Sequence, residues 1–243
     1  MMHFSPVEAR VNHIVAALVF ELSKVETPPV RERVVSHLMH VDEGMAKRVA
    51  AGLRLGTGIE PAATTVPARR EIKPSPALSI IGKDPHTLKG RVIGLLVSDG
   101  ADRALIEALR AAVQKAGAKL KIVAPHVGGA KTGDGKLLEA NQQLAGAPSI
   151  FFDAVAVIVS EAGARELARE AAALDFVSGA FNHLKVIGHA PAAEALLRRA
   201  GITDELVDAG IVPLNGADAV AGFIAAAEKT RVWDREPKVR IVP

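Results

Sequence analysis

The chain of 243 residues contains no cysteine and no tyrosine, and its aromatic residues amount to 3%. Without a thiol there is no disulfide framework, no cysteine zinc site, no haem thioether and no cysteine nucleophile. Without a phenol there is no tyrosinate ligand for haem iron. Long apolar runs are also missing. The stretch of residues 14–20 is too short to span about 30 Å of hydrocarbon, and it follows Glu8 without a small-residue cleavage pattern. No membrane partner is expected, and a soluble, cytoplasmic protein is the default reading.

An excess of positive charge is nearly absent as well. The net charge is +3, and residues 91–243 balance at eighteen Lys/Arg against eighteen Asp/Glu. Residues 56–90 carry five against three, so most of the excess falls outside the two structured regions. Nucleic-acid binding needs basic residues clustered on one element, preferably with aromatics to stack bases, and neither is present. Hydrophobic residues at 49% are enough for a sizeable core of Ala, Val, Leu and Ile.

Three regions follow from pattern. Residues 1–55 read as two amphipathic helices. Ser5-Pro6-Val7-Glu8 is a capping-box pattern ahead of a stripe through Val11, Val15, Leu18 and Leu22. Pro28 and Pro29 break that helix, Thr27 stands where a cap would be, and a second stripe runs Val30, Val34, Leu38, Val41, Met45 and Val49. Residues 56–88 hold five of the fourteen prolines and no period, and read as an extended linker. Residues 89–243 alternate apolar strand-like runs (92–97, 120–124, 154–159, 185–188) with helical stripes near 103–116, 164–182, 192–200 and 217–229. A Gly-rich excursion at 128–135 has hairpin chemistry. Near-continuous apolar strands separated by helices predict a parallel sheet covered on both faces, an α/β three-layer sandwich of flavodoxin-like type.

In such sheets ligands collect at the carboxyl ends of strands. Here those are Ser98-Asp99-Gly100, Ser160-Glu161-Ala162-Gly163 and Gly188-His189-Ala190-Pro191. The last is the turn where a nucleophile elbow would stand, and glycine has nothing to attack with. His189 with Asp99 or Glu161 makes a conceivable acid/base pair; a histidine satisfied by a neighbouring carbonyl is the simpler reading. Gly128-Gly129-Ala130-Lys131-Thr132 lacks the glycine before lysine that a phosphate loop needs, and reads as a surface hairpin. His37, His40 and Glu43 share a helix without a further convincing metal ligand. The tail around Trp233 reads as a segment docked by that ring.

Several stretches carry a family resemblance. Phe20-Glu21-Leu22-Ser23-Lys24-Val25, Arg31-Glu32-Arg33-Val34-Val35 and His40-Val41-Asp42 resemble the helices that follow the haem barrel in large-subunit (clade 2) catalases. Leu88-Lys89-Gly90-Arg91-Val92, Leu144-Ala145-Gly146-Ala147-Pro148-Ser149, residues 153–159, His183-Leu184-Lys185, Arg231-Val232-Trp233 and Pro237-Lys238 resemble their C-terminal flavodoxin-like domain. The resemblance implies that haem and its ligands belong to a barrel upstream of the residues present, so no cofactor and no metal are expected in this chain. The domain is also similar to the class I glutamine-amidotransferase-like group that includes DJ-1/PfpI proteins, whose I-C-H-G-P elbow is matched by Ile187-Gly188-His189-Ala190-Pro191. Gly188 then replaces the nucleophile, and Asp99 or Asp102 falls near that group's acidic partner.

Two functional readings follow. One is a non-catalytic domain that stabilises or assembles a catalase oligomer, with chaperone-like holding of unfolding clients as an extension. The other is a hydrolase, glyoxalase or small-ligand sensor built on His189 without a covalent step. The apolar stripes of the first helices predict self-association or packing on a catalase core.

Overall fold

Apolar spacing in the first 55 residues produces three helices where periodicity predicts two. The computed structural model describes residues 6–56, 58–66, 75, 77 and 83–239. Helix α1 is Pro6–Ser23, α2 is Pro28–Leu38 and α3 is Glu43–Gly52. The predicted second helix breaks because Asp42 takes extended backbone and its Oδ1 accepts the Met45 amide at 2.7 Å, starting α3 afresh. Leu38, Val41 and Met45 keep helical spacing across this break, which hides it from a periodicity reading. Thr27 occupies the α2 N-cap without a side-chain bond, and the Ser5 cap lies outside the described residues. Leu22, Val35, Met39, Ala46 and Val49 form the core of this unit, and Gly52 lets α3 approach Val19 of α1.

Two compact units divide the chain at 83/84. The second begins with β1 (Val92–Val97), α4 (Arg103–Lys115) and β2 (Lys119–Ala124). The predicted hairpin forms as β3 (Ala130–Lys131) paired antiparallel with β4 (Leu137–Leu138). Then follow β5 (Gln142–Gln143), β6 (Ala154–Ile158), α5 (Glu161–Leu167), α6 (Ala171–Asn182), β7 (Ile187–His189), α7 (Glu194–Arg199), β8 (Ile211–Pro213), α8 (Val220–Ala227) and α9 (Glu236–Val239). The order β5-β2-β1-β6-β7-β8 is parallel throughout. It is the doubly wound flavodoxin-like arrangement, with its switch between β1 and β6. The helix predicted over 164–182 is two, α5 and α6, and strands β5 and β8 were not predicted.

Alternate strand residues face opposite layers. Ile93, Leu95, Val97, Ala156 and Ile158 pack under α4 and α8; Leu96, Val155, Val157 and Ile187 pack under α5, α6 and α7. Burial on both faces explains why β1 and β6 read as unbroken apolar runs. Among the described residues no helix is long and apolar enough to cross a membrane.

Candidate functional site

The switch between β1 and β6 places Ser98-Asp99-Gly100 beside Ser160, where a ligand crevice would open. Here the chain's own groups close it. Ser160 Oγ donates to the Asp99 carbonyl at 2.6 Å and accepts the Gly163 amide at 3.0 Å, capping α5. Buried Ser98 accepts the Ser160 amide at 3.2 Å, and α5 lies so near that a Cβ on Gly163 would stand 1.9 Å from Ser98 Oγ. Asp99 Oδ1 accepts the Lys131 amide at 2.8 Å, and Gly100 N donates to the Lys131 carbonyl at 2.7 Å, latching the β3–β4 hairpin over the loop. The space left between Ser98, His126 and Glu166 is about 60 Å³. Asp102 is engaged too, as the N-cap of α4 through the Leu105 amide.

The residues predicted as an acid/base set do not converge. Asp99 borders that small space, Glu161 is exposed and faces Arg165 at 3.9 Å, and His189 opens toward a separate cavity with Leu197, Ile202 and Ile211. His189 is 5% exposed, and its Nδ1–H donates to the Ala190 carbonyl at 3.3 Å. Burial lowers its pKa, with the Ala190 carbonyl and Glu194 opposing. Among the described residues no hydrogen bond or ion pair joins it to Asp99 or Glu161. Gly188 does not stand on a strained turn. It lies inside β7, paired with Ala156 and Val212, and no residue from 187 to 193 has positive φ. A Cβ there would meet the Phe223 ring at 2.8 Å, so the position leaves no room for a cysteine as packed.

Other sequence candidates resolve in structural terms. His40 Nε2 donates to the Ala62 carbonyl at 2.7 Å, Glu43 pairs with Lys47 at 2.6 Å, and the described residues contain no group of three metal-ligating side chains. The tail is anchored by Arg235, with Trp233 partly buried beside it in sequence. Arg235 is fully buried, forks onto Asp208 with two 2.8 Å bonds, donates to the Lys185 carbonyl at 2.7 Å and lies 4.3 Å from the centre of the Phe181 ring. Burial pushes the Asp208 carboxyl up, but the bonds and charge of Arg235 outweigh it and hold the group below its ordinary value.

The opposite, amino end of the sheet gathers charge that sequence reasoning did not single out. Arg91 Nη1 meets Asp153 Oδ1 at 3.1 Å, and Asp153 Oδ2 accepts the Val92 amide at 2.9 Å. Lys185, 2% exposed, donates to the Ser149 and Phe152 carbonyls at 2.6 Å each. Burial first, and the Arg231 charge second, bring its pKa to about 8, with Asp153 opposing. Arg231 donates to the Asp153 and Thr230 carbonyls at 3.4 and 3.1 Å. Leu184 and Thr230, immediately before Lys185 and Arg231, hold left-handed backbone with φ of 59° and 63°, each a strain of about 1–2 kcal/mol. The stretches quoted above around Arg91, Asp153, Lys185 and Arg231 thus meet at one place.

Comparison with known proteins adds a finding from outside the geometry. Residues 89–237 match the family described as the C-terminal domain found in long catalases, and residues 7–53 match the one described as catalase-related immune-responsive. The chain is 48% identical to Catalase C of Rhizobium meliloti (strain 1021) over 98% of its own length and 33% of that protein. It is 36% identical to Catalase HPII of Mycobacterium avium over 95% of the chain and 34% of the relative. For Catalase-B of Dictyostelium discoideum the identity is 33%, over 96% and 33%. The chain therefore spans about a third of the length of these relatives.

Proposed function

Because the chain belongs to the family of C-terminal domains of long catalases, we propose that it is a non-catalytic module whose work is to stabilise or assemble a catalase oligomer. The observation that carries this reading is the closed crevice at the β1–β6 switch. The Ser98 and Ser160 hydroxyls, the Gly163 amide and Oδ1 of Asp99 are engaged with one another and with the hairpin, which leaves only about 60 Å³ at the place where this fold ordinarily binds substrate. Haem chemistry is assigned to the part of long catalases outside this chain. The chain offers no Tyr or Cys ligand for haem iron.

The helical unit supports a role through contact. Phe20 is 62% exposed and Val41 71% exposed, with Ile14 also outside the core. Apolar side chains left in water are candidates for burial against a partner, either a catalase core or an unfolding client. Light scattering coupled to gel filtration tests the reading, with the chain alone and mixed with a long catalase lacking this region. A joint peak of defined stoichiometry and a slower heat inactivation of the core are expected. Independent elution with unchanged inactivation would refute it. For clients, stoichiometric chain should suppress heat-induced scattering of several unrelated proteins, and unchanged scattering would remove that extension.

A further inference from the structure

The charges at the amino end of the sheet do not balance. Arg91, Lys185 and Arg231 all reach the main chain or side chain of Phe152 and Asp153. The exposed ring of His183 adds a titratable neighbour. The carboxylates facing them, Asp153 and Asp84, are already engaged: Asp153 by Arg91 and the Val92 amide, Asp84 by the Thr230 hydroxyl at 2.7 Å and the His86 amide at 3.2 Å. Among the described residues, Lys185 and Arg231 are left with carbonyl oxygens as hydrogen-bond partners. Cations withdrawn from water are strongly favoured to find an anion, and a guanidinium offers five N–H donors in a planar fork suited to oxyanions. Among the described residues Arg231 spends a single nitrogen, Nη1, on the two carbonyls, which leaves the rest of its fork to a ligand.

We propose that this end of the sheet is an oxyanion site, in which Arg231, beside Lys185 and His183, receives a phosphate or carboxylate group. The two cationic segments are tied together: Leu184 and Thr230 take left-handed backbone just past the ends of α6 and α8, and the Val232 amide donates to the Leu184 carbonyl at 2.8 Å. The pKa directions agree with a local excess of positive charge. Burial lowers that of His183, with Lys185 and Arg231 lowering it further, and Arg231 is itself lowered by burial and by Arg91, against Asp153. The groups that set the local charge are Arg91, Asp153, Asp84, His86, His183, Lys185 and Arg231.

His183 supplies a reporter. Sodium phosphate and sodium acetate are titrated separately into the whole chain at constant ionic strength held with sodium chloride, while the ring protons of His183 are followed by NMR. A saturable shift with a midpoint in the low millimolar range or below, with a raised His183 pKa and at least tenfold weaker binding in Arg231→Gln, is expected. Saturation by phosphate assigns a phosphate-bearing ligand, and saturation by acetate alone assigns a carboxylate; either supports the site. Shifts reproduced by chloride, or failing to saturate with both anions in the wild-type chain, would overturn it whether or not the variant folds.

Discussion

At the carboxyl ends of β1 and β6 the polar groups close on one another, while at the amino ends of β1, β6 and β7 cations from separate segments crowd around two carboxylates. The first arrangement is made of short side chains and backbone: Ser98, Ser160 and Gly163 pack to near contact, and Asp99 is consumed by a loop. The second is made of long cationic side chains drawn under the sheet by carbonyl acceptors and by one buried fork, Arg235 on Asp208. The same parallel strands thus carry one end where short polar groups engage one another and one end where long cations gather. Fold alone assigns function to the first; the residues present point to the second.

Breaking the charged end should have the largest effect. Arg235→Ala leaves Asp208 half-buried without its partner and empties the space beside Phe181, with an expected loss of about 3–5 kcal/mol, read as a lower midpoint in urea unfolding. Lys185→Met comes next and acts through pH. The folded pKa of about 8 lies below the unfolded value of 10.5, so between those limits the unfolded chain binds more protons and wild-type stability rises with pH, by on the order of 3 kcal/mol. The Met variant should lose that rise, and an unchanged slope would show that Lys185 is not the group responsible. At the closed end, Gly188→Ala pushes a methyl into Phe223 and should cost about 1–3 kcal/mol by overpacking; a neutral result would mean that the sheet has room for a nucleophile after all. His189→Leu should stay within about 1.5 kcal/mol, as an apolar replacement of similar size beside Leu197 and Ile211.

Much of the fold was legible. Strands β1 and β6 announce themselves because burial on both faces makes them uninterrupted apolar runs, β2 by its buried end Ile122-Val123-Ala124, and α4 because Leu105, Ile106, Leu109 and Val113 are buried at helical spacing. Strand β8 was missed because Ile211-Val212-Pro213 is too short for a periodic signal, and β5 because Gln142-Gln143 is a polar edge. The break at Asp42 was hidden by apolar spacing that continues across it. The candidate site was legible in part: position along the strands located Asp99, Glu161 and His189, but strand-end position does not tell whether side chains face one opening. The Arg235 anchor of the tail was not legible, because an arginine is expected outside until its fork finds a carboxylate such as Asp208 twenty-seven residues away. At the charged end, Arg91, Asp153 and Lys185 precede β1, β6 and β7, and parallel pairing in the order β1-β6-β7 brings these starting points together, while Arg231 arrives from the segment after α8.

The contrast between the two ends is tested most directly by the NMR titration of His189 in the wild-type chain and in Asp99→Asn and Glu161→Gln. The account predicts a His189 pKa below the ordinary 6.5 that neither substitution moves by more than about 0.2 units, since burial and not an acidic partner sets it. A fall on removing either carboxylate would show that the histidine is coupled to that acid, and would contradict a closed, non-catalytic carboxyl end.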